Sequence, residues 1–155
     1  MSFIVTSLIP FSYFAKTRLT SLTLAAYHLL LEWLPAAAIV FYFGNPGNPW
    51  IFAGLSYLAF ISLYEIGYLA NDTLSEKREE SPRGRLLGQS LPNAGIVVFV
   101  IVRLAALGLV TYFLQGEASW FWWAYFGAVA LAFALHNLLP NQYRIGTYFQ
   151  LSFLR

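Results

Sequence analysis

The sequence predicts an all-α membrane protein with about four transmembrane helices, and its composition and segment lengths support this prediction. Hydrophobic residues make up 59% of the 155 positions and charged residues 10%, with a mean hydropathy of +0.61. A soluble domain carries about 25% charged residues. The apolar segments are about 20 residues long, the length that an α-helix needs to cross the hydrocarbon core. Membrane-spanning β-strands are shorter and alternate in polarity.

Four apolar segments, separated by polar or glycine- and proline-rich breaks, define a single predicted membrane domain over residues 1–155. The predicted spans cover residues 21–43, 50–70, 94–114 and 120–139. The first ends at GNPGNP, because proline and glycine interrupt helices. The second leads into a polar segment over residues 71–93, and QGEAS separates the third span from the fourth. The fourth begins with a cluster of tryptophans typical of a membrane interface.

The two ends of the chain are less apolar than the spans. The first residues carry no positive charge before Lys16 and contain Pro10, which favours an interfacial lead-in over a cleavable signal peptide. The tail PNQYRIGTYFQLSFLR is amphipathic, so it is expected either to lie in the interface or to begin another span. Its shortness argues against a crossing.

Basic residues predict the orientation of the spans. They lie in the N-terminal segment, the long polar segment and the tail, and none lies in GNPGNP or QGEAS. An even number of spans places these three regions on one side, and the positive-inside rule makes that side cytoplasmic. We therefore expect a multi-pass protein of the cytoplasmic membrane with both termini in the cytoplasm. The basic residues concerned are Lys16, Arg18, Lys77, Arg78, Arg83, Arg85, Arg144 and Arg155.

Composition excludes several classes of site. The chain contains no cysteine, so disulfides, thiolate metal sites and thiol nucleophiles are ruled out. With two histidines in the chain, a metal site built from several histidines is not expected. The net charge of +2 and the scattered basic residues do not indicate nucleic-acid binding.

Several titratable residues are expected inside the spans. Glu32 and Arg103 lie near mid-depth, where an unpaired charge costs at least about 2.5–3.5 kcal/mol, so an ion pair between them is predicted. The alternative is a polar substrate pocket. His28 lies one turn before Glu32, a spacing that allows a hydrogen bond between them, and a proton relay is the less favoured alternative. Glu65, nearer the cytoplasmic end of its span, either extends a site at Asp72 or caps a neighbouring polar group.

The polar segment after the second span holds half of the charged residues. Its carboxylates are the hard oxygen ligands that Mg²⁺ accepts, and its basic side chains suit phosphate oxygens. Together they predict a site for a diphosphate–metal headgroup. The alternative is a solvated loop whose charges pair weakly and set the topology. The acidic residues are Asp72, Glu76, Glu79 and Glu80, and the basic ones are Lys77, Arg78, Arg83 and Arg85.

The same segment resembles the first acidic motif of the UbiA superfamily of intramembrane prenyltransferases. In that family N-D-x-x-D-x-x-x-D follows the second transmembrane helix, and here the frame reads Asn71, Asp72, Ser75 and Glu79. The following SPRGR is similar to the continuation in members that use polyprenyl phosphates. Serine replaces the middle aspartate, and the resemblance covers about the first half of the family's fold.

The resemblance implies a ligand and a metal. Mg²⁺ would be held by Asp72 and Glu79, while Asn71, Arg83 and Arg85 would bind a polyprenyl diphosphate or phosphate at the cytoplasmic face. An active prenyltransferase would let an acceptor attack the allylic carbon while cations stabilise the leaving group. No catalytic side chain is assigned.

Half of such a fold would act as a homo-oligomer, act with a partner membrane subunit, or be a degenerate relative that kept the fold and lost the reaction. The abundant aromatic residues of the spans suit a groove for an isoprenoid tail, and equally suit lipid-facing belts and helix packing. The rival class is a non-catalytic membrane subunit or scaffold of a larger complex. A small transporter component is a third possibility, which only the intramembrane charges suggest.

Overall fold

The computed structural model describes residues 8–44, 47–75, 92–114 and 119–155. These residues form six helices and contain no β-strand. In chain order the helices are α1 (Ser12–Arg18), α2 (Leu22–Phe43), α3 (Pro49–Ala70), α4 (Asn93–Phe113), α5 (Trp120–Leu138) and α6 (Arg144–Leu154).

Four of these helices, α2 to α5, are long and apolar enough to cross a membrane. Each begins within one residue of its predicted start. Helix α3 continues past its predicted end through a π turn at Asn71–Ser75. The prediction of an all-α polytopic membrane protein is therefore confirmed.

Local sequence signals determine where the spans begin. The Ser21 side chain accepts a hydrogen bond of 3.2 Å from the Leu24 N–H at the start of α2. The Asn48 side chain does the same for the Ile51 N–H at 3.1 Å, and Pro49 occupies the first position of α3. Such caps satisfy N–H groups that the helix itself leaves unpaired, and proline is tolerated there because its missing N–H is not needed.

Helix α3 lies at the centre of the bundle, in contact with α1, α2, α4 and α5. Its inward residues Ile61 and Tyr64 form a buried cluster with Phe14 of α1 and two residues of α5, Val129 and Phe133. A second cluster, toward the other end of the bundle, joins α3, α4 and α5 and consists of Ala59, Val110, Leu114 and Phe126. Most large side chains on α2 and α4 point outward, as expected for helices surrounded by lipid.

The two short helices pack against the bundle. On α1, Tyr13 and Phe14 are buried, so the predicted lead-in is part of the packed protein. Helix α6 begins beside Asn71, at the end of α3, and Arg155 just after it reaches Glu32 in the middle of α2. The 11 residues of α6 extend about 16 Å, too short for a crossing, and α6 instead packs along α5 and contacts α3 at Tyr64.

Candidate functional site

A cavity of about 530 Å³ lies between α3, α5 and the two short helices. We call it the arginine pocket, because Arg18, Arg144 and Arg155 line it and none of the described residues in its wall is acidic. Its positive lining makes it a candidate site for an anion. The other lining residues are aromatic, polar or aliphatic: Tyr64, Tyr68, Asn71, Phe133, His136, Asn141, Ile145, Tyr148, Leu151 and Ser152.

Helix α1 supplies the first arginine at its last residue. The Arg18 Nη2 donates to the two carboxylate oxygens of Asp72 at 2.9 and 3.1 Å, and the guanidinium lies 4.3 Å from the centre of the Tyr68 ring. Asp72 also accepts a 2.7 Å hydrogen bond from the Tyr13 hydroxyl. These contacts fix the orientation of Arg18. A guanidinium has five N–H donors, so Arg18 retains donors for a ligand in the pocket.

Arg144, at the start of α6, is held by polar residues from three segments. Its Nη2 donates to Asn71 Oδ1 at 2.8 Å and its Nη1 to Asn141 Oδ1 at 3.2 Å. His136 Nε2 lies 3.3 Å from Arg144 Nη2, and His136 Nδ1 lies 2.9 Å from the Thr147 hydroxyl. Asn71, a predicted substrate-binding residue, thus lines the pocket and orients one of its arginines.

Arg155 follows the last turn of α6 and is paired with a residue in a span. Its Nε donates to Glu32 Oε2 at 2.7 Å. The hydroxyls of Tyr64 and Tyr125 each donate at 2.7 Å to a backbone carbonyl in the last turn of α6. The last carbonyls of a helix have no partner within it, so these two tyrosines satisfy them and hold the end of α6 in place.

A second cavity, of about 190 Å³, lies between α2, α3 and α5, and Arg155 lines both cavities. One face of α3 lines both cavities, and its lining residues are three or four positions apart. The first and last of these are separated by 18 residues, or about 27 Å of helix, which is close to the roughly 30 Å of a hydrocarbon core. We call this the α3 face; it consists of Ala53, Tyr57, Phe60, Tyr64, Tyr68 and Asn71.

The predicted ion pair between Glu32 and Arg103 is wrong. Arg103 Nε lies 2.5 Å from Glu65 Oε2, and both side chains are completely buried. Helix α3 stands between α2 and α4, so its Glu65 meets Arg103, while Glu32 pairs with Arg155. The predicted hydrogen bond within α2 is confirmed, because His28 Nδ1 lies 2.5 Å from Glu32 Oε2.

Glu65 caps neighbouring polar groups, one of its two predicted roles. Its carboxylate accepts hydrogen bonds from the backbone N–H groups of Phe11 at 3.1 Å and Phe14 at 2.7 Å. The carboxylate is therefore bound to α1 and Arg103, and it does not line the arginine pocket in the described part of the chain.

Asp72, one of the two predicted Mg²⁺ ligands, is engaged by other side chains in the described part of the chain. The oxygens of Asp72 accept hydrogen bonds from Arg18 and Tyr13, and its side chain is buried. Among the described residues, no group of three histidine, aspartate or glutamate side chains could hold a metal ion. The other predicted members of the headgroup site, Glu79, Arg83 and Arg85, lie outside the described residues.

Sequence reasoning missed most of the arginine pocket. Arg18, Arg144 and Arg155 contributed only to the predicted orientation. The available signal was their location, since all three arginines fall in short segments next to the ends of spans on the predicted cytoplasmic side. What the sequence did not indicate is that these segments fold back onto the bundle.

Comparison with known proteins gave no match to a family model, to a curated protein or to a solved structure. The resemblance to the UbiA superfamily therefore stays a prediction. The same holds for the polyprenyl ligand, the Mg²⁺ ion and the partner subunit.

Proposed function

We propose that this membrane protein binds a polyprenyl phosphate or diphosphate, with the anionic headgroup in the arginine pocket and the isoprenoid chain along the α3 face. The observation that carries the proposal is the convergence of Arg18, Arg144 and Arg155 on one cavity without an acidic residue among its described wall residues. The resemblance at Asn71 and Asp72 supports the choice of a polyprenyl ligand.

Arginine is well suited to bind the headgroup. Its planar guanidinium donates two parallel hydrogen bonds to a phosphate, and charge-assisted bonds of this kind are about twice as strong as neutral ones. Asp72 and Glu32 hold Arg18 and Arg155 in place; neither carboxylate lines the arginine pocket, and Glu32 lines the second cavity. The positive lining is thus preorganised, so little side-chain ordering has to accompany ligand binding.

The second cavity supports an apolar chain as the other part of the ligand. Its wall is largely apolar or aromatic, and it includes Trp33, Phe60, Trp122 and Phe126. Because Arg155 borders both cavities, a headgroup bound by this arginine would have its chain directed along the α3 face. A free phosphate would use the arginine pocket alone.

Binding can be tested with detergent-purified protein and four ligands. We expect geranylgeranyl diphosphate to bind more tightly than inorganic pyrophosphate, because only the former occupies the α3 face. Geranylgeraniol, which lacks the phosphates, and phosphatidylglycerol, an ordinary anionic lipid, serve as controls. Equal binding of the lipid and the prenyl diphosphate would indicate a general anionic-lipid site. If none of the anions binds, a scaffold becomes the better interpretation.

Charge-removing variants test the location of the headgroup. Arg18→Gln and Arg144→Gln should each weaken geranylgeranyl diphosphate binding by about tenfold or more, since a charge-assisted hydrogen bond contributes about 1.5–3 kcal/mol. Lys16→Gln is the matched control, because it removes the same charge from an exposed position of α1 that does not line the pocket. Similar losses in Lys16→Gln and Arg18→Gln would place the headgroup elsewhere.

The metal hypothesis is tested in the same assay with and without Mg²⁺. Arg18 donates hydrogen bonds to both carboxylate oxygens of Asp72, which leaves this carboxylate engaged by a cation. We therefore expect the affinity for prenyl diphosphate to be independent of Mg²⁺. Asp72→Asn should then lower affinity only slightly, through weaker positioning of Arg18. Affinity that requires Mg²⁺ and disappears in Asp72→Asn would instead support the metal site of the UbiA resemblance.

A further inference from the structure

The buried ion pair of Glu65 and Arg103 does more than join α3 to α4. Glu65 accepts hydrogen bonds from the backbone N–H groups of Phe11 and Phe14, as described above. Arg103 donates to the backbone carbonyls of Leu8 at 2.5 Å and Ile9 at 3.0 Å. The pair therefore binds four backbone groups of one short stretch of chain.

This stretch, residues 8–14, is not expected to keep its conformation without contacts to the rest of the protein. It leads into α1, which has only seven residues, and isolated helices of that length are unstable in water. Phe11 adopts a left-handed conformation with φ of 76°, which is unfavourable for a bulky side chain. Such a conformation persists only where surrounding contacts impose it. Glu65 and Arg103 supply those contacts.

The end of α1 carries Arg18 into the arginine pocket. Five residues before it, the buried Tyr13 packs against Leu69 and Phe99, and its hydroxyl donates a hydrogen bond to Asp72. The position of Arg18 therefore depends on the docking of the whole helix and not only on its own bond to Asp72.

We propose that Glu65 and Arg103 are positioning residues, which hold α1 against α3 and α4 and thereby place Arg18 in the arginine pocket. The consequence for ligand binding rests on the proposed function; the docking of α1 does not. If the pair served only to pack α3 against α4, its replacement by apolar residues would leave α1 and Arg18 in place.

The variant that separates these possibilities is the double replacement Glu65→Leu with Arg103→Leu. Removing both charges avoids leaving one of them buried and unpaired, so the spans are expected to stay folded. The backbone groups of residues 8–14 lose their partners, and α1 is expected to leave the bundle. Thr111→Val is the control for a general loss of stability, because it breaks the hydrogen bond between Thr111 and Trp122 away from α1.

Accessibility of single cysteines reports the docking of α1 without any ligand. The chain has no cysteine, so an introduced one is the sole thiol. Thr17 is buried and Lys16 is exposed. A maleimide should react slowly with Thr17→Cys in the otherwise unchanged protein and rapidly in the double leucine variant. Lys16→Cys should react rapidly in both backgrounds. Thr17→Cys should still react slowly when it is combined with the control substitution Thr111→Val. Slow labelling of Thr17→Cys in the double variant would overturn the proposal.

Affinity for inorganic pyrophosphate then tests the effect on Arg18. The double leucine variant should lose the same factor, about tenfold, as Arg18→Gln, and combining the two should cause no further loss. Full affinity in the double variant, or losses that multiply, would show that the pair does not act through Arg18. If the unchanged protein binds neither pyrophosphate nor geranylgeranyl diphosphate, the proposed function fails, while the cysteine labelling still decides whether the pair docks α1.

Discussion

Arg103→Leu is expected to lower the free energy of unfolding by about 3–5 kcal/mol, because it leaves the Glu65 carboxylate buried without its cationic partner. Both side chains are fully buried. Replacing both residues by leucine should cost less than replacing Arg103 alone, since no charge is then stranded. Thermal unfolding in detergent, followed by circular dichroism, measures the difference.

Arg155→Leu is the matched control for this experiment. Its partner Glu32 is partly exposed and keeps a hydrogen bond to His28, so the loss of stability should be smaller than for Arg103→Leu. Equal unfolding temperatures for Arg103→Leu and the double leucine variant would contradict the buried pair.

Gly67→Ala is the second change with a large expected effect. Gly67 is buried on α3, and a methyl group at this position would overlap the ring of Phe133 on α5. Overpacking of this kind costs about 1–3 kcal/mol, and it should also move α5 away from α3 at the level of the arginine pocket. We therefore expect a lower unfolding temperature together with weaker binding of prenyl diphosphate.

Two further variants make this prediction specific. Gly54→Ala lies on the same helix with open space around the added methyl group, so it should be neutral or slightly stabilising. Combining Gly67→Ala with Phe133→Leu should recover part of the lost stability, because the smaller side chain makes room for the methyl group. Unfolding temperatures that are the same for Gly67→Ala and Gly54→Ala would show that the two helices do not approach as closely as described.

The spans and their approximate bounds follow from the sequence alone. An unpaired backbone group in lipid is too costly for anything but a helix or a closed barrel, and continuous apolar runs of about 20 residues fit helices, because barrel strands are shorter and alternate in polarity. Capping residues such as Ser21 and Asn48, together with proline- and glycine-rich breaks, then mark where the helices begin and end. The hydrogen bond between His28 and Glu32 was equally predictable, since it lies within one helix.

Contacts between helices were not predictable in the same way. Depth in the membrane suggested a partner for Arg103 but did not specify which neighbouring helix would supply it, and Glu65 of the central helix does so. The arginine pocket depends on two short helices that fold back onto the bundle, a step that hydropathy does not encode. Arg18, Arg144 and Arg155 are far apart along the chain, and only the docking of α1 and α6 brings them to one cavity. Local physics therefore defines the helices of this protein, whereas the packing of distant segments creates its candidate binding site.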